Sequence, residues 1–104
     1  MSFRRYEIIL PTTYNDGTPV EAEKFRATYE DLVVEFGALT YQPEALHGVW
    51  THQGVRFEES NVRLFIDVED TPATSAFFSR YKQLLTERFR QIDIWIVSYE
   101  IRVT

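Results

Sequence analysis

The sequence predicts an α+β sandwich in which two helices cover one face of a four-stranded antiparallel sheet, with residues 1–104 forming one domain. Two segments repeat apolar residues at helical spacing. Others repeat them at every second position, and the two kinds follow one another as strand, helix, strand, strand, helix, strand. A chain of 104 residues has room for one core of ordinary size.

Each element has its own signals. Phe3 to Leu10 sets Tyr6, Ile8 and Leu10 against Arg5, Glu7 and Ile9, as in a half-buried strand, and Pro11 ends it. Asn15-Asp16-Gly17 marks a turn, after which Thr18, Pro19 and Glu21 offer an N-cap, a first-turn proline and a capping-box glutamate. Phe25, Tyr29, Leu32 and Phe36 recur at spacings of four, three and four along one helical stripe, and Gly37 suits its end.

Leu39 to Tyr41 reads as the start of a strand interrupted at Pro43, which removes a ladder donor and suits an edge or a bulge, with EALH capable of a short helical turn. Residues 44–69 read as a long hairpin with its tip at Gln53-Gly54. Its return arm sets Val62, Leu64, Ile66 and Val68 against Arg63, Phe65, Asp67 and Glu69, which predicts a central strand covered on its aliphatic side alone. Asp70 or Thr71 before Pro72 opens a second helix, whose stripe of Phe77, Phe78, Tyr81, Leu84 and Leu85 runs to Phe89. In the last strand, Ile92 to Val103, Trp95, Val97, Tyr99, Ile101 and Val103 are assigned to the covered face, and Ile94 and Ile96 to the other.

Two strand-helix-strand units with right-handed crossovers share one sheet most simply as a ferredoxin-like sandwich, β-α-β-β-α-β. The expected core is Tyr6, Ile8, Phe25, Leu32, Phe36, Leu64, Ile66, Phe77, Tyr81, Leu85, Val97 and Tyr99.

Composition narrows the chemistry. Without cysteine there is no disulfide, thiolate nucleophile or thiolate-held metal, so catalysis would fall to carboxylates, hydroxyls or two histidines. A net charge of −5 weakly repels nucleic acid and anionic lipid. No stretch of 18 apolar residues and no signal-peptide pattern occurs, so the expectation is no membrane partner and a cytoplasmic address. Neither GxGxxG nor GxxxxGK[ST] is present to cradle a phosphate. An RNA-recognition domain shares this element order, but the third strand would offer it Phe65 alone.

The helix-free face then carries the functional question. Ile9, Phe65, Ile94 and Ile96 are expected on it, a patch suited to a second copy of the chain, so a homo-oligomer is expected. Glu7, Asp67 and Glu100 share that face with Arg5, Arg63 and Arg102 and read as ion pairs, since the arginines oppose the raised pKa that a general acid requires.

His47 and His52 flank Trp50 at a spacing of five, which suits neither one helical face nor one strand face. A metal would need Glu44, Glu58 or Glu59 as third ligand, and no metal or cofactor is expected. His52 is the candidate for proton transfer, and Tyr41, Trp50 and Tyr99 are the candidate lining of a small-molecule site.

The segments GVWTHQGVRFEESNVRLFIDV and YKQLLTERFRQ, with TPVEAEKF before them, resemble an uncharacterised bacterial family of small ferredoxin-like proteins. The resemblance rests on Trp50, Gly54, Glu59, Tyr81, Lys82, Phe89 and Gln91, and departs from the family at Ser60-Asn61. It implies the fold and brings no catalytic residues. The expected function is therefore that of an oligomeric, non-catalytic or ligand-sensing interaction protein. The alternative is a cofactor-free enzyme of the dimeric α+β barrel type acting on a small organic molecule; a concave pocket with a buried histidine would favour it.

Overall fold

The computed structural model of the chain describes residues 1–104, the side chains of residues 44 and 45 excepted. Its elements run β1 (Phe3–Pro11), α1 (Ala22–Phe36), β2 (Thr40–His52), β3 (Val55–Glu69), α2 (Pro72–Arg88) and β4 (Trp95–Ile101). The sheet order is β2-β3-β1-β4, every pairing is antiparallel, and the architecture is the ferredoxin-like sandwich.

Register decides what each strand presents. In β1 and β3, Tyr6 lies opposite Ile66, Ile8 opposite Leu64 and Leu10 opposite Val62. These six side chains are buried with Leu32, Phe78, Tyr81, Leu85 and Phe89 of the helical layer. Aromatic packing ties the layers together: Tyr6 stacks on Phe78 at 3.9 Å between ring centroids, and Phe25 meets Phe89 edge-on at 5.3 Å. Such pairs add about 0.5–1.5 kcal/mol each beyond the area they bury.

The two helices are also joined by polar bonds. Asp31 Oδ2 accepts from Tyr81 Oη and from Arg88 Nη2, both at 3.0 Å, while Arg88 Nη1 donates to Thr28 Oγ1 at 2.9 Å. Burial, reinforced by that bond to Asp31, pushes the Tyr81 hydroxyl well above the usual phenol range.

The helix ends follow local chemistry. Thr71 caps α2 by accepting from the Thr74 backbone N–H, Thr74 Oγ1 answers the Thr71 N–H, and Pro72 follows. Gly37 ends α1 at φ 81°, where its N–H donates to the Val33 carbonyl. The start of α1 differs from expectation: Glu21 is its N-cap, and Thr18 is held in the preceding turn by Asp16. The Asx-type bond to Asp16 satisfies the Thr18 N–H two residues on and keeps Thr18 in the turn.

Two strand assignments are corrected. The β2 strand continues through Pro43 without a helical turn, while the edge position and the irregularity expected at Pro43 are both found, the latter as a register shift between Gln42 and Leu46. In β4 the facing is reversed. Ile96 pairs with Ile8 and Trp95 with Ile9, so Ile94 and Ile96 belong to the helix side, and Ile94 is only 1% exposed. Trp95, Val97 and Tyr99 take the open side, and Trp95 is 65% exposed. Val97 and Tyr99 therefore leave the expected core, and Ile94 and Ile96 leave the expected open-face patch. Both faces of β4 are apolar, so alternation alone does not orient it; pairing with β1 does.

Candidate functional site

The open face is organised by cross-strand pairs. Arg5 lies directly opposite Asp67 and binds it through two bonds, at 2.7 and 2.9 Å. Arg63 pairs with Glu7, which also accepts from the Tyr99 hydroxyl at 2.8 Å. Between these pairs lies Phe65, with the Arg5 guanidinium 4.3 Å and the Arg63 guanidinium 4.8 Å from its ring centroid. The bond from Arg63 holds the Glu7 carboxyl below the usual carboxylate range, helped by the Tyr99 hydroxyl and by the charges of Arg63 and Arg5, against the opposing effect of burial. Glu7 and Asp67 are therefore partnered anions on a strip with no net charge.

Beyond this strip the face becomes concave. The β1–β3 ladder ends at Pro11 opposite Asn61, while the β2–β3 ribbon continues to its two-residue tip, where Gln53 and Gly54 both have positive φ, 49° and 78°. Thr12 fastens the junction: its N–H and its hydroxyl both donate to the Ser60 carbonyl, at 2.8 and 2.9 Å.

Between the base of the ribbon and the segment leading into β4 lies a cavity of about 680 Å³. The ribbon contributes Gly48, Val49, Trp50, His52, Glu59 and Asn61 to its wall. Ile9 and Pro11 form the floor, and residues 91–95 the far side. That volume is within the range of small-molecule sites.

The wall is built from its own contacts. Trp50 stacks on Phe57, its cross-strand partner, at 4.5 Å, and its indole N–H donates to the Glu59 carboxylate. The Asn61 amide approaches Gly48 so closely that a Cβ there would lie 2.9 Å from Nδ2. Asn61 is 7% exposed, and its Oδ1 has no hydrogen-bond partner among the described residues. Gln91 donates its amide N–H to the Phe89 carbonyl at 2.9 Å.

The candidates from the sequence divide here. Trp50 and His52 line the cavity. Tyr41 does not; it stacks on Tyr29 of α1 at 4.6 Å, on the helix side. Tyr99 is on the open face but is bonded to Glu7, away from the cavity wall. His47 lies opposite Ser60 and His52 opposite Val55, so an odd spacing along one strand sends the two histidines to opposite faces. Glu58 and Glu59 are separated in the same way, the Glu44 side chain lies outside the described residues, and among the described residues no three potential metal ligands gather.

Asn61 and Trp95 were not foreseen as wall residues. Asn61 falls on the polar side of the β3 alternation with Arg63 and Asp67, so alternation alone gave no signal for the first. None was available for the second.

No family model matches the sequence, and no curated protein matches it. Solved structures do share its architecture. A phage SAM lyase in complex with S-methyl-5′-thioadenosine is 17% identical, with 98% of this chain and 90% of that one covered and a TM-score of 0.71. A divalent cation tolerance protein, CutA1, from Thermus thermophilus is 18% identical, with 98% and 86% covered and a TM-score of 0.66. The GlnK–ATP complex of B. subtilis is 15% identical, with 96% and 82% covered and a TM-score of 0.59. Identities this low establish a common fold. No helix among the described residues is long and apolar enough to cross a membrane.

Proposed function

We propose that this chain is an oligomeric ligand-binding protein of the sensing kind. Its ligand site is the cavity between the ribbon and the start of β4, and a second copy of the chain closes the open side. The carrying observation is the coincidence of that cavity with two tryptophans, Trp50 and the largely exposed Trp95, on the helix-free face. A large aromatic left in solvent at the rim of a concave site is the kind of surface an interface buries. A second copy suits the face because Arg5, Arg63, Glu7 and Asp67 neutralise one another there, whereas the whole chain carries −5. Ile9 and Phe65 supply apolar surface beside them. Two of the proteins with this fold hold nucleoside compounds, ATP in one and S-methyl-5′-thioadenosine in the other, which supports a small organic ligand here.

Light scattering at micromolar concentration tests the assembly. The wild type is expected above monomer mass and Trp95→Arg folded at monomer mass; a monomeric wild type would refute it. His52 in the same wall supports a second reading, a cofactor-free enzyme with His52 as proton acceptor. Turnover of a bound molecule that His52→Gln abolishes while retaining binding would select that reading.

A further inference from the structure

The two acidic side chains among the described wall residues, Glu59 and Asp93, face no lysine or arginine of the wall itself. Glu59 and Asp93 bring carboxylates, and Asn61, also of the wall, holds a buried Oδ1 with no donor among the described residues. Gln91 donates one of its two amide N–H groups to the Phe89 carbonyl and keeps the other N–H and its oxygen for a ligand. Among the described residues the wall contains no lysine or arginine. His52 is its one side chain able to become cationic, and Lys82 reaches Asp93 at 3.1 Å from outside the wall.

Trp50, with one face covered by Phe57, and Trp95 also line the wall, and an indole ring attracts a cation placed over its face. A phosphate here would meet Glu59 without a partner for its own charge, and at short range in a partly dewatered cleft that repulsion outweighs ring stacking.

Resting on the reading of this cavity as a ligand site, we propose that it selects an organic cation carrying a flat ring over an anionic nucleotide. The orphaned Asn61 Oδ1 supplies an independent demand for a hydrogen-bond donor on the ligand. The cavity volume suits a molecule of nucleoside size.

Three probes of one shape and different charge test the selection: 1-methyladenosine, cationic at neutral pH; adenosine, neutral; and adenosine 5′-monophosphate, anionic. Each is titrated into the wild-type protein by calorimetry and tryptophan fluorescence. The expected order is 1-methyladenosine tightest, by about tenfold over adenosine, with the monophosphate weaker again by about tenfold. Glu59→Gln keeps an oxygen for the Trp50 indole and removes the charge, so the ratio of 1-methyladenosine to adenosine affinity is expected to fall from about tenfold toward one. Monophosphate binding as tight as or tighter than adenosine, or an undiminished cation preference in Glu59→Gln, overturns the charge selection and leaves the ligand site standing. Silence from all three probes at millimolar concentration overturns the ligand site itself.

Discussion

Asn61 and Gly48 are in closer contact than any other side chain at that position would permit: the amide of one occupies the space in which the other would carry a Cβ, 2.9 Å away. The relationship joins the buried end of the β1–β3 ladder to the wall of the cavity. It explains why the edge strand carries a glycine beside Trp50, where β-propensity would favour a larger residue.

Gly48→Ala is therefore expected to push the Asn61 amide toward the cavity. The displaced group is the end of a flexible side chain, so the loss of stability should be near the lower end for overpacking, about 1 kcal/mol. Thermal denaturation reads that loss, and ligand titration should show weaker binding in the same variant. Unchanged binding would mean that Asn61 relaxes away from the site.

The orientation of β4 gives opposite expectations for neighbouring residues. Ile94→Ala removes a fully buried side chain and should destabilise the fold by about 2–5 kcal/mol. Trp95→Ala, one residue on, removes a side chain on the open face and, measured at concentrations low enough to dissociate any oligomer, should change the unfolding free energy by no more than about 0.5 kcal/mol. Equal losses from the two would contradict the register in which Ile8 faces Ile96.

Acid should weaken the strip of paired charges. The bond from Arg63 lowers the folded-state pKa of Glu7, so the unfolded chain takes up its proton at higher pH than the folded one. The stability contributed by Glu7 is complete above the ordinary carboxylate range and is lost as pH falls through the lowered value. Between about pH 5 and about pH 3, the melting temperature of Glu7→Gln should fall less steeply than that of the wild type. Parallel curves would remove Glu7 from the acid response; Asp16 and Glu21, whose pKa values are also lowered, titrate in both proteins.

The cap of α2 supplies a test of local structure. Thr71→Ala deletes the acceptor for the Thr74 N–H and should lower stability by about 1 kcal/mol, while Thr71→Ser, which keeps the hydroxyl, should recover most of it. Chemical denaturation of the two variants side by side reads the difference.

Local physics made most of the fold legible from residue order. Helical stripes through Phe25, Leu32 and Phe36 and through Phe77, Tyr81 and Leu85, the alternation of β1 and β3, and the Gln53-Gly54 tip each involve residues close along the chain. Their meaning does not depend on distant partners. Trp50 and His52, which line the cavity, were picked out by their nearness to the hairpin tip, a local feature of the chain.

Other features required the assembled sheet. The strand β4 carries apolar residues on both sides, and only hydrogen bonding to β1 put Ile94 and Ile96 under the helices and Trp95 in the open. Tyr41 and Tyr99 have the chemistry of ligand contacts, yet one was drawn to Tyr29 across the layers and the other to Glu7 across the sheet. Residues 91–95 meet Glu59 and Asn61 at the cavity although some thirty positions separate them. Periodicity gives the faces of a single strand; which face turns inward, and which distant side chains then share a wall, is determined by backbone pairing and close packing between elements.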